Sequence, residues 1–106
     1  FEIFLGSNRQ YYFRLKAPNG EKILASEGYT TKANCQNGIQ SVKIHSPYDN
    51  NYKRLTSTNY QYYFTLNANN GQVIGTGETY TTTQAREGGI TAVKTYAPAA
   101  STVDLT

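Results

Sequence analysis

A chain of 106 residues is long enough to build one shared core, and its ten Lys or Arg against seven Asp or Glu leave a net charge of only +3. That excess is split between the halves, six cations to four anions in residues 1–50 and four to three in residues 51–106, which excludes a dedicated DNA binder with a concentrated basic stripe. The single cysteine, Cys35, excludes an internal disulfide and any CxxC metal or redox pair, and no apolar run is long enough for a membrane helix.

From the N-terminus, Phe1, Ile3 and Leu5 alternate with Glu2 and Phe4 and predict a leading strand. Gly6 to Arg9 supplies a turn, Gln10 to Ala17 a second strand, Pro18 to Glu21 a hairpin loop and Lys22 to Glu27 a third strand. Asn19-Gly20 is a strong hairpin signal, because both residue types tolerate positive φ. Thr31 then reads as a helix N-cap, its hydroxyl placed to accept a backbone N–H near Asn34. The helix runs to about His45, where Pro47 forbids continuation. Its apolar stripe is Cys35, Ile39 and Val42, with Gly38 on the same side. A mid-helix glycine costs about 1 kcal/mol, so its position predicts close approach of the helix to the sheet.

Pro47 to Asn51 makes a turn, Tyr52 to Thr56 reads as a strand, and the pattern then starts again. QYYFRL at residues 10–15 returns as QYYFTL at 61–66, and an offset of 51 runs without a gap from Gln10–Pro47 to Gln61–Pro98. Such self-similarity marks one supersecondary unit used twice. The repeats span about 1–50 and 51–106, within a single domain. The positions that both copies keep are the strand face Tyr11, Phe13 and Leu15, the Asn-Gly loop, and Gly38, Ile39, Val42 and Lys43 of the helix. A second helix, capped by Thr82 and ending before Pro98, precedes a short extended tail at Thr102–Thr106. Ten tyrosines with no tryptophan or methionine suit a sheet whose surface is half buried.

The order YYFRLKAPNGEKILASEGY, TTKANCQNGIQSVK, then YYFTLNANNGQVIGTGETYTTTQAREGGITAVK, resembles the YegP-like family of small tandem-repeat proteins along essentially the whole chain. The resemblance implies an α+β fold: tandem β-β-β-α-β repeats forming one antiparallel sheet, two helices packed on one face, and post-helix strands exchanged between repeats. It brings no catalytic or binding residues with it. Within the second copy, Gly88 stands for Asn37 and Arg86 for Cys35, which places that position at the edge of the buried stripe.

Chemistry is sparse. His45 is expected to favour the C-terminal end of the helix dipole and Cys35 to be a small core residue. Glu27 and Glu78 are paired carboxylates in form, expected to end strands and satisfy donors at the helix entry rather than to act as acid and base. No cofactor or metal is expected, since one His, one Cys and seven scattered carboxylates make no ligand motif. Alternation sends Tyr12, Arg14 and Lys16 to the face away from the helices, with Tyr63 in the second copy and the basic pair Lys53 and Arg54 nearby. The expected function is a non-enzymatic interaction module docking a protein partner, or a second copy, on that face. The alternative is weak single-stranded nucleic-acid binding by tyrosines beside basic groups. No membrane partner is expected, no targeting segment is recognisable, and cytoplasmic residence follows by default.

Overall fold

The computed structural model covers residues 1–106. Its elements are β1 (Glu2–Leu5), β2 (Tyr11–Lys16), β3 (Lys22–Ala25), α1 (Lys32–His45), β4 (Tyr52–Thr56), β5 (Tyr62–Asn67), β6 (Val73–Thr76), α2 (Thr83–Tyr96) and β7 (Val103–Asp104). All seven strands join one sheet in the order β4-β5-β6-β3-β2-β1-β7, so this is an α+β fold built by both repeats together. Every pairing is antiparallel except the last, where β7 adds to β1 in parallel, and the expected antiparallel sheet is therefore mixed at one edge. The strands that follow the helices are exchanged: β4 pairs with β5 of the second repeat, and β7 returns to β1 of the first.

The two halves meet where β3 pairs with β6, at Ala25 and Thr76, which are counterparts in the duplication. A residue paired antiparallel with its own counterpart lies on a local twofold axis, the geometry of an isologous interface. Both helices lie on one side of the sheet, α1 over β2, β5 and β6, and α2 over β5 and β3. Threonine hydroxyls cap them as the sequence indicated, Thr31 accepting from the Asn34 N–H at 3.1 Å and Thr82 from the Ala85 N–H at 3.0 Å. The core lies between the layers, with Phe13, Phe64, Leu15, Leu66, Ile39, Ile90, Val42 and Val93 at most 1% exposed. Each such aliphatic or aromatic side chain contributes about 1.5–3 kcal/mol on burial.

Two irregularities shape that layer. A bulge between Leu15 and Lys16 sets Leu15 against Leu24 and Lys16 against Lys22, leaving Ile23 as the extra residue. Ile23 and Leu24 are consequently both buried, where strict alternation would expose one of them. The second repeat does the same with Ile74 and Gly75. Gly38 and Gly89 mark the close approach expected of the helices. A Cβ on Gly38 would lie 2.4 Å from the Tyr29 hydroxyl, and one on Gly89 2.3 Å from that of Tyr80. The approaching groups are these tyrosine side chains, held to the sheet by bridges Tyr11–Tyr29 and Tyr62–Tyr80.

The hairpin loops differ from the expected pair of positive-φ residues. Only glycine takes that conformation in Asn19-Gly20 and Asn70-Gly71, at φ 87° in each. The loop Ala17–Glu21 closes with Ala17 N–H donating to Glu21 O and Gly20 N–H to Ala17 O. This is a three-residue loop with one left-handed residue, whereas a two-residue type I′ turn would need two.

Candidate functional site

The sheet face away from the helices is not covered by any part of the chain. Across it runs one transverse row of paired residues, Glu2–Arg14–Ala25–Thr76–Thr65–Lys53, crossing the local twofold between Ala25 and Thr76. Its middle is made of small side chains, so the face is shallow at the centre. Tyr12 and Tyr63 lie two residues from this row on opposite sides of it. With three strand spacings and four residues of rise between them, they are about 20 Å apart.

The expected site residues divide by face. Tyr12, Arg14, Lys16, Tyr63 and Lys53 all project from the uncovered side, as their alternation with the buried Phe13, Leu15, Tyr52 and Phe64 and the pairing of Arg14 with Glu2 and of Lys53 with Thr65 show. Arg54 does not. It pairs with the core residue Phe64 and so points to the helix side, where its guanidinium meets Glu87 of α2 at 2.8 Å and Asp49 at 3.0 Å. Adjacent residues of a strand cannot share a face, which the grouping of Lys53 with Arg54 overlooked. Arg54 is the counterpart of Ile3, which is fully buried beneath the added strand β7. With no strand outside β4, an arginine in that place blunts the open edge against pairing with other chains.

Around Tyr12 the face is already knitted together. Phe4 and Tyr12 stack at 5.6 Å and 17°, Arg14 lies 4.4 Å from the Phe4 ring centre, and Asn8 Nδ2 donates to the Tyr12 hydroxyl at 2.9 Å. Tyr12 also leans over Gly6, where a Cβ would come within 2.6 Å of the ring. The cations are largely answered: Glu2 receives Arg14 at 2.7 Å and Lys16 at 3.3 Å, and Glu78 receives Lys22 at 3.3 Å. The Arg14 and Lys16 contacts hold the Glu2 carboxyl below its ordinary range. Lys53 has no carboxylate partner and is exposed.

The other titratable residues offer no reacting pair. His45 Nδ1 lies 2.8 Å from the Ser41 carbonyl oxygen, to which its N–H donates, and 3.2 Å from Ser41 Oγ. A nitrogen engaged as a donor has no lone pair with which to take the hydroxyl proton, so this is a helix-end contact rather than a base and nucleophile. Burial pushes the Cys35 thiol up, away from the thiolate. Glu78 is held by Lys22, and neither Glu27 nor Glu78 meets a helix-entry donor, because Thr31 and Thr82 do so instead. No group of three or more His, Cys, Asp or Glu side chains is placed to hold a metal ion.

Sequence reasoning missed one polar cleft, at the start of β4, lined by Asn50, Asn51, Lys53, Asn67, Asn69 and Gly71 among others. Its residues are 21 positions apart in sequence and converge only because β4 pairs with β5. A comparison of the two copies at the counterpart positions would have drawn attention to it.

Residues 7–52 and 57–104 each match the family described as a domain of unknown function, DUF1508. The chain belongs to the DUF1508 family. A UPF0339 protein of Bordetella pertussis is 51% identical over 104 residues, covering 98% of this chain and 94% of the relative. The UPF0339 protein YegP of Escherichia coli strain K12 is 47% identical over 94 residues, covering 89% and 86%. The solution NMR structure of yegP from Escherichia coli, described as a protein of unknown function, matches with a TM-score of 0.95 and 43% identity, over 100% of this chain and 91% of that one. A UPF0339 protein of Shewanella oneidensis, also solved by NMR, gives 0.93 and 44%, over 99% and 89%. The DUF1508 fold and its tandem arrangement are thus shared, and the family's role is unknown. No helix of the chain is long and apolar enough to cross a membrane.

Proposed function

We propose that this DUF1508 protein is a non-enzymatic interaction module that docks a protein partner on its uncovered sheet face. The observation that carries this reading is the arrangement of that face: the Phe4–Tyr12 stack on one side and Tyr63 beside Leu55 on the other flank a row with small residues at its middle, left bare by a chain that spends both helices on the opposite side. Half-buried tyrosines with few unpaired charges suit a protein contact. The face carries Arg14, Lys16, Lys22 and Lys53 against Glu2 and Glu78, so a partner with acidic side chains fits it better than a second copy would.

Single-stranded nucleic acid is the weaker reading. Tyr12 is stacked on Phe4, and a separation of about 20 Å between Tyr12 and Tyr63 is too wide for a platform that stacks consecutive bases. The absence of a paired base and nucleophile supports the non-enzymatic part, and a lone unpaired thiol at Cys35 is consistent with a reducing compartment such as the cytoplasm. A photo-reactive side chain in place of Tyr63 tests the reading in cells, with the same group at Tyr48, which is exposed but lies outside the sheet, as reference. A discrete protein adduct at 63, absent at 48 and lost on Lys53→Glu, is expected. Adducts to nucleic acid, or none above the reference, would refute it.

A further inference from the structure

We propose that the cleft at the start of β4 binds a small polyhydroxylated carboxylate, of the size of one sugar-acid ring. The site lies at the β4 end of the uncovered sheet face and shares Lys53 with it. Its cavity of about 420 Å³ falls within the range of small-molecule pockets. Asn51 anchors it: the residue is only 8% exposed, and its Nδ2 donates to Asn67 O at 2.9 Å and to Asn69 Oδ1 at 3.0 Å. Its Oδ1 accepts nothing from the protein. Ser46 Oγ is the one buried side-chain polar atom with no partner, so the Asn51 oxygen keeps some contact with solvent, at a residue that lines the cleft.

The remaining free groups define the ligand. Both amide atoms of Asn50, the Asn69 Nδ2 and the Lys53 Nζ make no hydrogen bond or ion pair with the protein, whereas Asn67 is engaged by Thr65 and Gly71. The cleft therefore presents two acceptors and three donor groups, one of them cationic, with no lining carboxylate. Hydroxyl groups both donate and accept and match the asparagines. The ammonium, together with the surplus of donors, matches a carboxylate. A bound cation has no charged ligand here.

The duplication supplies a control. The counterpart cleft at the other end of the sheet, about 360 Å³, is lined by Phe1, Lys16, Pro18, Tyr96 and Ser101 among others and contains no asparagine. Lys16, Pro18 and Ser101 stand where this cleft has Asn67, Asn69 and Asn50. The same backbone frame folds with either lining, so the fold itself does not require an amide cluster.

The test is a titration of the whole protein followed by amide NMR, with D-glucuronate as probe and D-glucose and acetate as its separate parts. Saturable shifts are expected at residues 50, 51, 53 and 67–71 and in the asparagine side-chain amides, with glucuronate tighter than glucose and acetate weakest. Lys53→Gln should weaken glucuronate about tenfold, to the level of glucose, and leave glucose unchanged. Asn50→Ala with Asn69→Ala should abolish both responses while the rest of the spectrum stays in place. Acetate binding as well as glucuronate, equal shifts at Lys16 and Ser101, or no response to any probe would overturn the proposal.

Discussion

Replacing Arg9 and Tyr60 with glycine should stabilise the protein. The four hairpin loops, closed between residues 6 and 10, 17 and 21, 57 and 61, and 68 and 72, share one hydrogen-bond pattern and place one residue each in the left-handed region. Glycine occupies it at Gly20 and Gly71, but Arg9 (φ 65°) and Tyr60 (φ 62°) occupy it in the other two. A residue with a Cβ pays about 1 kcal/mol or more for that conformation, and the greater freedom of glycine in the unfolded chain returns part of the gain. Neither side chain offsets the strain: Arg9 forms no ion pair, and Tyr60 is 85% exposed. Arg9→Gly and Tyr60→Gly should therefore each add about 0.5–1 kcal/mol, and the sum should be additive because the loops lie in separate hairpins. At about 4–8 °C per kcal/mol for a domain near this size, the double variant should melt about 4–16 °C higher. Urea unfolding followed by circular dichroism gives the free energies. Gly20→Ala is the mirror experiment, with open space around the Cβ, so that only its φ of 87° is penalised, by about 1 kcal/mol. A double variant no more stable than the parent, with Gly20→Ala costing nothing, would refute the conformational argument.

The adjacent glycines of α2 should respond in opposite directions. A Cβ on Gly88 meets nothing within 4 Å, so Gly88→Ala should stabilise by up to about 1 kcal/mol through helix propensity. Gly89→Ala would drive a methyl against the Tyr80 ring, an overpacking cost of about 1–3 kcal/mol that cancels or outweighs the same propensity gain. Equal midpoints for the two in chemical denaturation would remove the close-contact account. The acid limb of stability should depend on Asp49, whose carboxyl is drawn from 3.8 to about 2 by Lys94 first and Arg54 second. Since the folded value is the lower one, the unfolded chain binds more protons between about pH 4 and 2. This contribution is present above pH 4 and lost as pH falls through 2. Asp49→Asn should flatten the urea midpoint over that window. High salt should shrink the effect, because the pair is exposed; an unchanged acid slope in the variant would count against the ion pairs at 2.8 and 3.0 Å.

Much of the fold was legible because a duplicated chain reports twice on what it needs. Tyr11, Phe13, Leu15, Gly38, Ile39 and Val42 recur in the second copy because each packs against the same neighbours in both halves, and the structure buries Phe13, Leu15, Gly38, Ile39 and Val42. The threonine caps were equally readable, being set by local hydrogen-bonding chemistry. The bulges at Ile23 and Ile74 were not, since an extra residue shows only when the partner strand's register is known. Nor was the parallel pairing of β7, which follows from Phe1 O and Ile3 O offering the free edge to the Val103 and Leu105 N–H groups. The face of Arg54 could have been read from alternation with Lys53, and the asparagine cleft required the pairing of β4 with β5. Positions kept in both copies report on the fold, whereas positions that diverge on an unchanged frame are free of that demand. Arg54 against Ile3 is explained by an edge that one half covers and the other leaves bare. Asn67 and Asn69 accept from Thr65 Oγ1 and Asn51 Nδ2 within their own half, whereas Asn50 against Ser101 has no such structural explanation, and a ligand held at one end of the sheet alone is the account that gives its free amide something to do.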